Sequence, residues 1–162
     1  MDKNRDAEFA MFFRTEYPGV VRTAYLVLHD REAANDVAQD AFAKILSHWG
    51  RVSRYDRPDA WVRKVAVRLA IKLARRQRLH MAPGTQAEPT TEQAPVDLDL
   101  MRAIGALPAA QRAAVVLFYF EDRPVAEVAE IMDCAASTAK VHLHRARKRL
   151  SEQLGEAVAD VS

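Results

Sequence analysis

Apolar residues recur along this chain at steps of three and four, the period of a helix with one buried face. Between Glu8 and Leu28 the positions Phe9, Phe12, Phe13, Val20, Val21, Ala24, Tyr25 and Leu28 form one such stripe, and Pro18 within it is expected to kink or divide the helix. Asp30, with Glu32 in the turn that follows, is placed to cap a second helix. That helix runs through Val37, Ala41, Ile45 and Leu46 toward Trp49, and Gly50 is expected to stop it. After a polar loop over Arg51–Arg57, Pro58 suits a first helical turn. Trp61, Val65, Leu69 and Leu73 then repeat every four residues, which predicts a third helix with these four side chains on its buried ridge.

The pattern fails over residues 79–96, which hold Pro83, Gly84, Pro89 and Pro95 and show no helical period. This stretch reads as a linker between an N-terminal domain over residues 1–78 and a C-terminal domain over residues 97–162. Beyond it, Leu100, Ile104 and Leu107 mark a helix that Pro108 closes while opening the next, where Val115, Val116, Phe118, Tyr119 and Phe120 make a dense apolar block. Glu121-Asp122-Arg123-Pro124 breaks the chain again. Val125, Val128, Ala129 and Met132 predict a short amphipathic helix, Asp133-Cys134-Ala135 a three-residue turn, and Ala139, Leu143, Ala146 and Leu150 a longer helix. This is helix-turn-helix spacing. In that motif the second helix enters the major groove, and its outward positions here are Ser137, Lys140, Val141, His144, Arg145 and Lys148.

Composition narrows the fold class to all-α. The 162 residues are 49% hydrophobic and 28% charged, with only 5 Gly and 7 Pro, which suits two small helical domains and excludes a large multidomain enzyme. Cys134 is the sole cysteine and cannot form an internal disulfide; the chain opens without a basic-then-apolar leader, so a cytoplasmic location is expected. The longest apolar run, Ala113 to Phe120, is far shorter than the roughly 20 residues that cross a bilayer.

The net charge of +2 conceals a sorting of charges into blocks. Residues 54–80 carry 9 basic and 2 acidic groups, and residues 137–150 carry 5 basic and none acidic, while residues 81–100 hold 4 acids and no base. Two cationic blocks separated by an acidic stretch suit two contacts with a polyanion, because basic side chains near phosphates release counterions. On the third helix Lys64, Arg68, Lys72 and Arg75 are spaced four, four and three, a stripe along which phosphates can run. Single-strand binding adds a stacking surface: Tyr55 in the preceding loop is a candidate and Trp61 a weaker one, since Trp61, in register with the apolar ridge, is expected in the core. On the second helix Glu32, Asp36, Gln39 and Asp40 make an acidic stripe opposite Val37, Ala41 and Ile45. Such a stripe repels DNA and fits a basic protein surface.

Catalytic chemistry is not indicated. There is no phosphate-cradling glycine loop, no Ser-His-Asp arrangement, and no cofactor is implied. His142 and His144, two apart on a helix, point about 200° from each other and do not share an ion, so with Cys134 they make no metal site; Cys134 is expected to fill a small apolar gap.

Three segments, in order, resemble the small two-domain, extracytoplasmic-function type of bacterial RNA polymerase sigma factor. Asp36-Val37-Ala38-Gln39-Asp40-Ala41-Phe42 is similar to the segment of region 2 that docks on the β′ clamp helices of the polymerase. Trp61-Val62-Arg63-Lys64-Val65-Ala66, followed by Arg75-Arg76-Gln77-Arg78, resembles the part of region 2 that opens and reads the minus-ten element. Leu107-Pro108-Ala109-Ala110-Gln111-Arg112, with Val125–Met132 and Lys140–Leu150, resembles region 4, which reads the minus-thirty-five element. The resemblance implies a non-enzymatic initiation factor. Its partners would be core RNA polymerase, through the β′ clamp helices and the β flap, promoter DNA, and, as a further candidate, an anti-sigma protein. It implies core binding by Asp36, Gln39 and Asp40, minus-ten DNA binding by Tyr55, Lys64, Arg68, Lys72 and Arg75, and minus-thirty-five DNA binding by Ser137, Lys140, Val141, His144, Arg145 and Lys148. The chain departs from the family's pattern at Arg68, where Asn is common, at Asp133 and Ala135, where a turn Gly and a capping Ser are common, and at His142, where a basic residue often stands. An extended linker of 18 residues would span roughly 60 Å, enough for separate promoter elements. The alternative reading is a freestanding helix-turn-helix regulator whose N-terminal module senses a ligand or dimerises. It shares the DNA-binding half but has no use for the acidic stripe.

Overall fold

In a computed structural model of the protein, residues 3–80 and 98–159 are described, with side chains over 3–77 and 98–155. These residues are helical apart from short turns, and they fall into two compact units, Met1–Leu73 and Ala74–Ser162. The expected linker lies, from residue 81, outside the described residues; its first two positions, 79 and 80, are helical backbone.

In the first unit, α1 (Lys3–Leu28) is followed by α2 (Arg31–Ser47), α3 (Trp49–Val52) and the greater part of α4 (Pro58–His80), whose residues from Ala74 on belong to the second unit. Pro18 does not divide α1. It sits on the exposed side, as does Arg14, the residue whose carbonyl a proline at this position leaves without its helical donor. The α1–α2 turn forms as the sequence predicts: Asp30 takes extended dihedrals and its side chain accepts a hydrogen bond from the Ala33 amide at 3.2 Å.

Trp49 and Gly50 differ from expectation. α2 stops at His48 rather than at Gly50, and Gly50 lies inside α3. Restarting the helix carries the Trp49 ring under α1, where its centroid stands 5.4 Å from Phe9 and 5.0 Å from Phe12, while Phe42 meets Phe13 edge-on at 5.0 Å. The aromatic cluster, not a glycine, decides where α2 ends. It joins the α1 face to α2 through area burial and edge-to-face ring geometry.

The buried line of α4 is Val62, Ala66, Ala70 and Ala74, with Val67 and Ile71 beside it; Trp61 is 37% exposed, and Val65, Leu69 and Leu73 are half-buried. The expected ridge is thus displaced by one residue. Both lines repeat every four positions, and alanines contribute weakly to a hydrophobic pattern although they allow helices to approach closely. Where α4 meets α1, Arg63 Nη1 pairs with Glu16 Oε2 at 2.8 Å and the guanidinium lies over Gly19, where a Cβ would fall 2.6 Å from Nη2.

In the second unit, α5 (Leu98–Gly105), α6 (Ala109–Val115, continued as a π-helical turn over Val116–Phe120) and α7 (Val125–Met132) pack on α8 (Ala136–Ala159). Ile104, Leu107, Val115 and Ala146 form its core cluster, edged by Leu100 and Leu150. Pro108 opens α6 as predicted, and Arg112 Nη2 donates to the carbonyls of Gly105 (2.8 Å) and Leu107 (3.0 Å), satisfying acceptors at the end of α5. The dense apolar block divides. Val115, Val116 and Leu117 are buried, but the π turn rotates Tyr119 and Phe120 outward, leaving them 48% and 41% exposed.

Candidate nucleic-acid and polymerase interface

On α2 the buried residues Ala34, Val37, Ala38, Ala41, Phe42 and Ile45 face α1, so Glu32, Asp36, Gln39 and Asp40 all stand in solvent. Continuing the exposed face by whole turns from Gln39 passes Ala43 and reaches Leu46, which is 49% exposed. One end of this face is acidic and the other apolar. The sequence pattern grouped Leu46 with the apolar positions Val37, Ala41 and Ile45; stepping seven from Gln39 puts it on the exposed face instead.

Along α4, Arg68 and Lys72 are exposed and Lys64 is half-buried; Arg75, on the same helix just past the end of the first unit, is exposed. The loop that precedes α4 begins with a chain of backbone bonds, Ser53 N to Trp49 O (2.9 Å) and Tyr55 N to Val52 O (3.0 Å), which fixes where Tyr55 leaves the turn. Tyr55 is 38% exposed and meets Trp61 edge-on, with centroids 5.4 Å apart and planes at 70°. Lys64 Nζ lies 4.9 Å from the Trp61 ring centre, a cation over an aromatic face. Trp61 is therefore not a core residue. It precedes Lys64 by three positions and Arg68 by seven, which puts it on the basic stripe, and that spacing was available in the sequence. Aromatic faces beside a row of cations are the pair of features that single-stranded nucleic acid uses: stacking for bases, charge for phosphates.

The second unit presents α8 through the turn after α7. Asp133 takes the left-handed conformation (φ 58°, ψ 50°), and the Cys134 amide donates to Ala129 O at 3.0 Å, closing α7 as a glycine would. Ala135 caps α8 through its carbonyl alone, which accepts from Ala139 N at 3.0 Å. With Ala139, Leu143 and Ala146 buried, the six predicted residues Ser137, Lys140, Val141, His144, Arg145 and Lys148 are all exposed on the opposite side. His142 is half-buried at the edge of that face. Burial, and then the charge of Arg145, push its pKa below the usual histidine value, so it is the neutral ring that flanks the cations. The Cys134 thiol is pushed up by burial and by Asp133, away from reactive thiolate character. Among the described residues no group of three or more His, Cys, Asp or Glu gathers as a metal site, and no helix is long and apolar enough to cross a membrane.

Comparison with known proteins follows the same division. Residues 12–80 match the model of sigma-70 region 2, and residues 97–150 that of sigma-70 region 4. The RNA polymerase sigma-E factor of Streptomyces antibioticus is 32% identical over 152 residues, covering 91% of this chain and 84% of the relative. The ECF RNA polymerase sigma factor SigM of Mycobacterium tuberculosis is 33% identical over 153 residues, covering 91% and 77%. Among solved structures, the sigma factor RpoE of Bartonella quintana, in complex with the anti-sigma factor NepR, shares the fold with a TM-score of 0.74 at 21% identity, covering 91% of this chain and 97% of that one.

Proposed function

Since the chain belongs to the sigma-70 family, among the extracytoplasmic-function RNA polymerase sigma factors, we propose that it binds core RNA polymerase in the cytoplasm and directs promoter-specific initiation through three separate surfaces. The α2 face, with Asp36, Gln39 and Asp40, docks on the β′ clamp helices, where complementary charge steers encounter and fixes register. Tyr55, Lys64, Arg68, Lys72 and Arg75 hold the melted minus-ten strand. The α8 residues Ser137, Lys140, Val141, His144, Arg145 and Lys148 engage the minus-thirty-five duplex, phosphate contacts supplying affinity and groove contacts supplying choice. In this reading residues 1–78 and 97–162 are the two working domains, 79–96 tethers them, and the β flap receives the second. An anti-sigma protein, the partner class named for the Bartonella complex, would silence the factor by covering any one of these surfaces.

The observation that carries the proposal is the exposure of every predicted contact residue but Lys64, which is half-buried over Trp61, with acidic and basic faces on different helices. A DNA-only regulator gains nothing from an exposed acidic face on α2. Run-off transcription with purified core enzyme and a genomic fragment library tests the reading: discrete transcripts that depend on this chain are expected. Strong duplex binding without core, and no transcripts with it, would support a freestanding regulator instead.

A further inference from the structure

Tyr119 and Phe118 surround a guanidinium that none of the surfaces above includes. Arg147, exposed on α8, lies 5.5 Å from the ring centres of both Phe118 and Tyr119, and its Nε donates to the Tyr119 hydroxyl. The two rings stand nearly perpendicular, 81° at 4.9 Å, so they box the cation from two sides. No acid stands three or four positions from Arg147 on the helix, where Leu143, His144, Leu150 and Ser151 are found, and among the described residues no carboxylate pairs with it. An exposed cation ordered by aromatic groups, yet given no counter-charge, is in place for an anion from outside.

Its position says which anion. Arg147 follows Lys140 by two turns and His144 by three residues, which sets it at the edge of the exposed α8 face rather than at its centre. A side chain there reaches past the groove to its bordering backbone. The hydrogen bond to Tyr119 uses Nε, and the terminal nitrogens Nη1 and Nη2 carry the N–H donors of the fork that phosphate oxygens accept. Holding the side chain in advance also lowers the entropy lost on contact. The π turn explains how the box arises: by rotating the end of α6 it brings Tyr119 to the surface beside α8, a local departure of the kind found at functional positions.

We propose that Arg147, positioned by Tyr119 and Phe118, clamps a backbone phosphate of the duplex at the border of the groove that α8 enters. This rests on the reading of α8 as the duplex-binding helix, so the test carries Lys148→Ala as a reference for that reading. Holoenzyme assembled from core polymerase and the full chain is titrated against a promoter duplex recovered from the run-off selection, across a series of salt concentrations. Arg147→Ala is expected to weaken binding about fivefold near 0.15 M salt and to reduce the log–log salt slope by about 0.9, the signature of one lost phosphate contact. Arg147→Lys should keep the slope without recovering full affinity, and Tyr119→Phe should keep the slope while weakening binding about threefold. If Lys148→Ala reduces the slope and Arg147→Ala does not, the clamp is wrong and the duplex reading stands. If neither variant moves the slope, the duplex reading fails and the clamp with it. Full affinity in Tyr119→Phe beside a weakened Arg147→Ala would overturn the positioning role.

Discussion

α4 and α8 are both long helices with a basic outer stripe and an inner face rich in alanine, yet they present cations in different company. On α4 the stripe begins at an exposed aromatic pair, Tyr55 and Trp61, with Lys64 over the indole. On α8 the central exposed positions are Ser137, Lys140, Val141, His144, Arg145 and Lys148, with no Phe, Tyr or Trp among them. Bases released from a duplex offer flat faces and are caught by rings. Bases inside a duplex offer only edges, which are read by polar side chains and small apolar contacts in a groove. On the proposed function, similar charge patterns would serve two forms of DNA, with the exposed Tyr55–Trp61 pair setting α4 apart for the single strand.

Charge reversal should separate the surfaces most sharply. Lys64→Glu with Arg68→Glu is expected to abolish run-off transcription while pull-down with core enzyme is kept. Asp36→Lys with Asp40→Lys should lose the pull-down itself. If the α4 reversal also lost core binding, the division of labour between α2 and α4 would be wrong.

The inner faces can be compared by stability. Leu143 is 1% exposed in the second unit, and Leu143→Ala should destabilise that unit by about 2–5 kcal/mol, seen as an earlier loss of far-ultraviolet ellipticity in denaturant. The outer aromatic pair is tested without such damage, because Trp61 is partly exposed. Trp61→Ala and Tyr55→Ala should each weaken binding of single-stranded minus-ten DNA to holoenzyme by about 1–3 kcal/mol and leave duplex binding unchanged. Equal losses on both substrates would erase the contrast between the helices.

The smallest effect concerns His142. Its folded pKa lies below the ordinary value, so the unfolded chain binds more protons as pH drops through the range near 6.5; the stabilising difference is present above that range and is lost below it. Acidification from pH 7.5 to 5.5 is therefore expected to lower the thermal midpoint slightly less in His142→Gln than in the parent chain. An identical pH dependence in the two would show that the ring is not held neutral.

Much of the fold was legible because local chemistry and global packing agree. Asp30 caps α2, Pro58 opens α4, Pro108 opens α6, and Asp133 turns the chain between α7 and α8 without glycine. The exposed stripes on α2 and α8 followed from helical spacing, since large apolar residues marked the opposite side. Three places misled because what decides them is not contained in the spacing of apolar residues. Trp49 is drawn under α1 by Phe9 and Phe12, which breaks α2 before Gly50. On α4 it is Val62, Ala66, Ala70 and Ala74 that turn inward and not the bulkier line beginning at Trp61, because the opposing surface admits the small side chains. The π turn at Val116–Phe120 inserts a rotation that no periodic pattern contains.

The helix starts at Asp30, Pro58 and Pro108, the order of charged blocks and the three motif segments were determined by the amino-acid sequence alone, because spacing along a helix converts directly into a shared face. Which of two equivalent four-residue lines turns inward, whether Trp61 stacks on the core or beside the cations, and how Arg147 comes to lie between Phe118 and Tyr119 were decided only by tertiary structure. Those outcomes depend on the shape and distance of the opposing helix, and close packing discriminates at the scale of a single side chain.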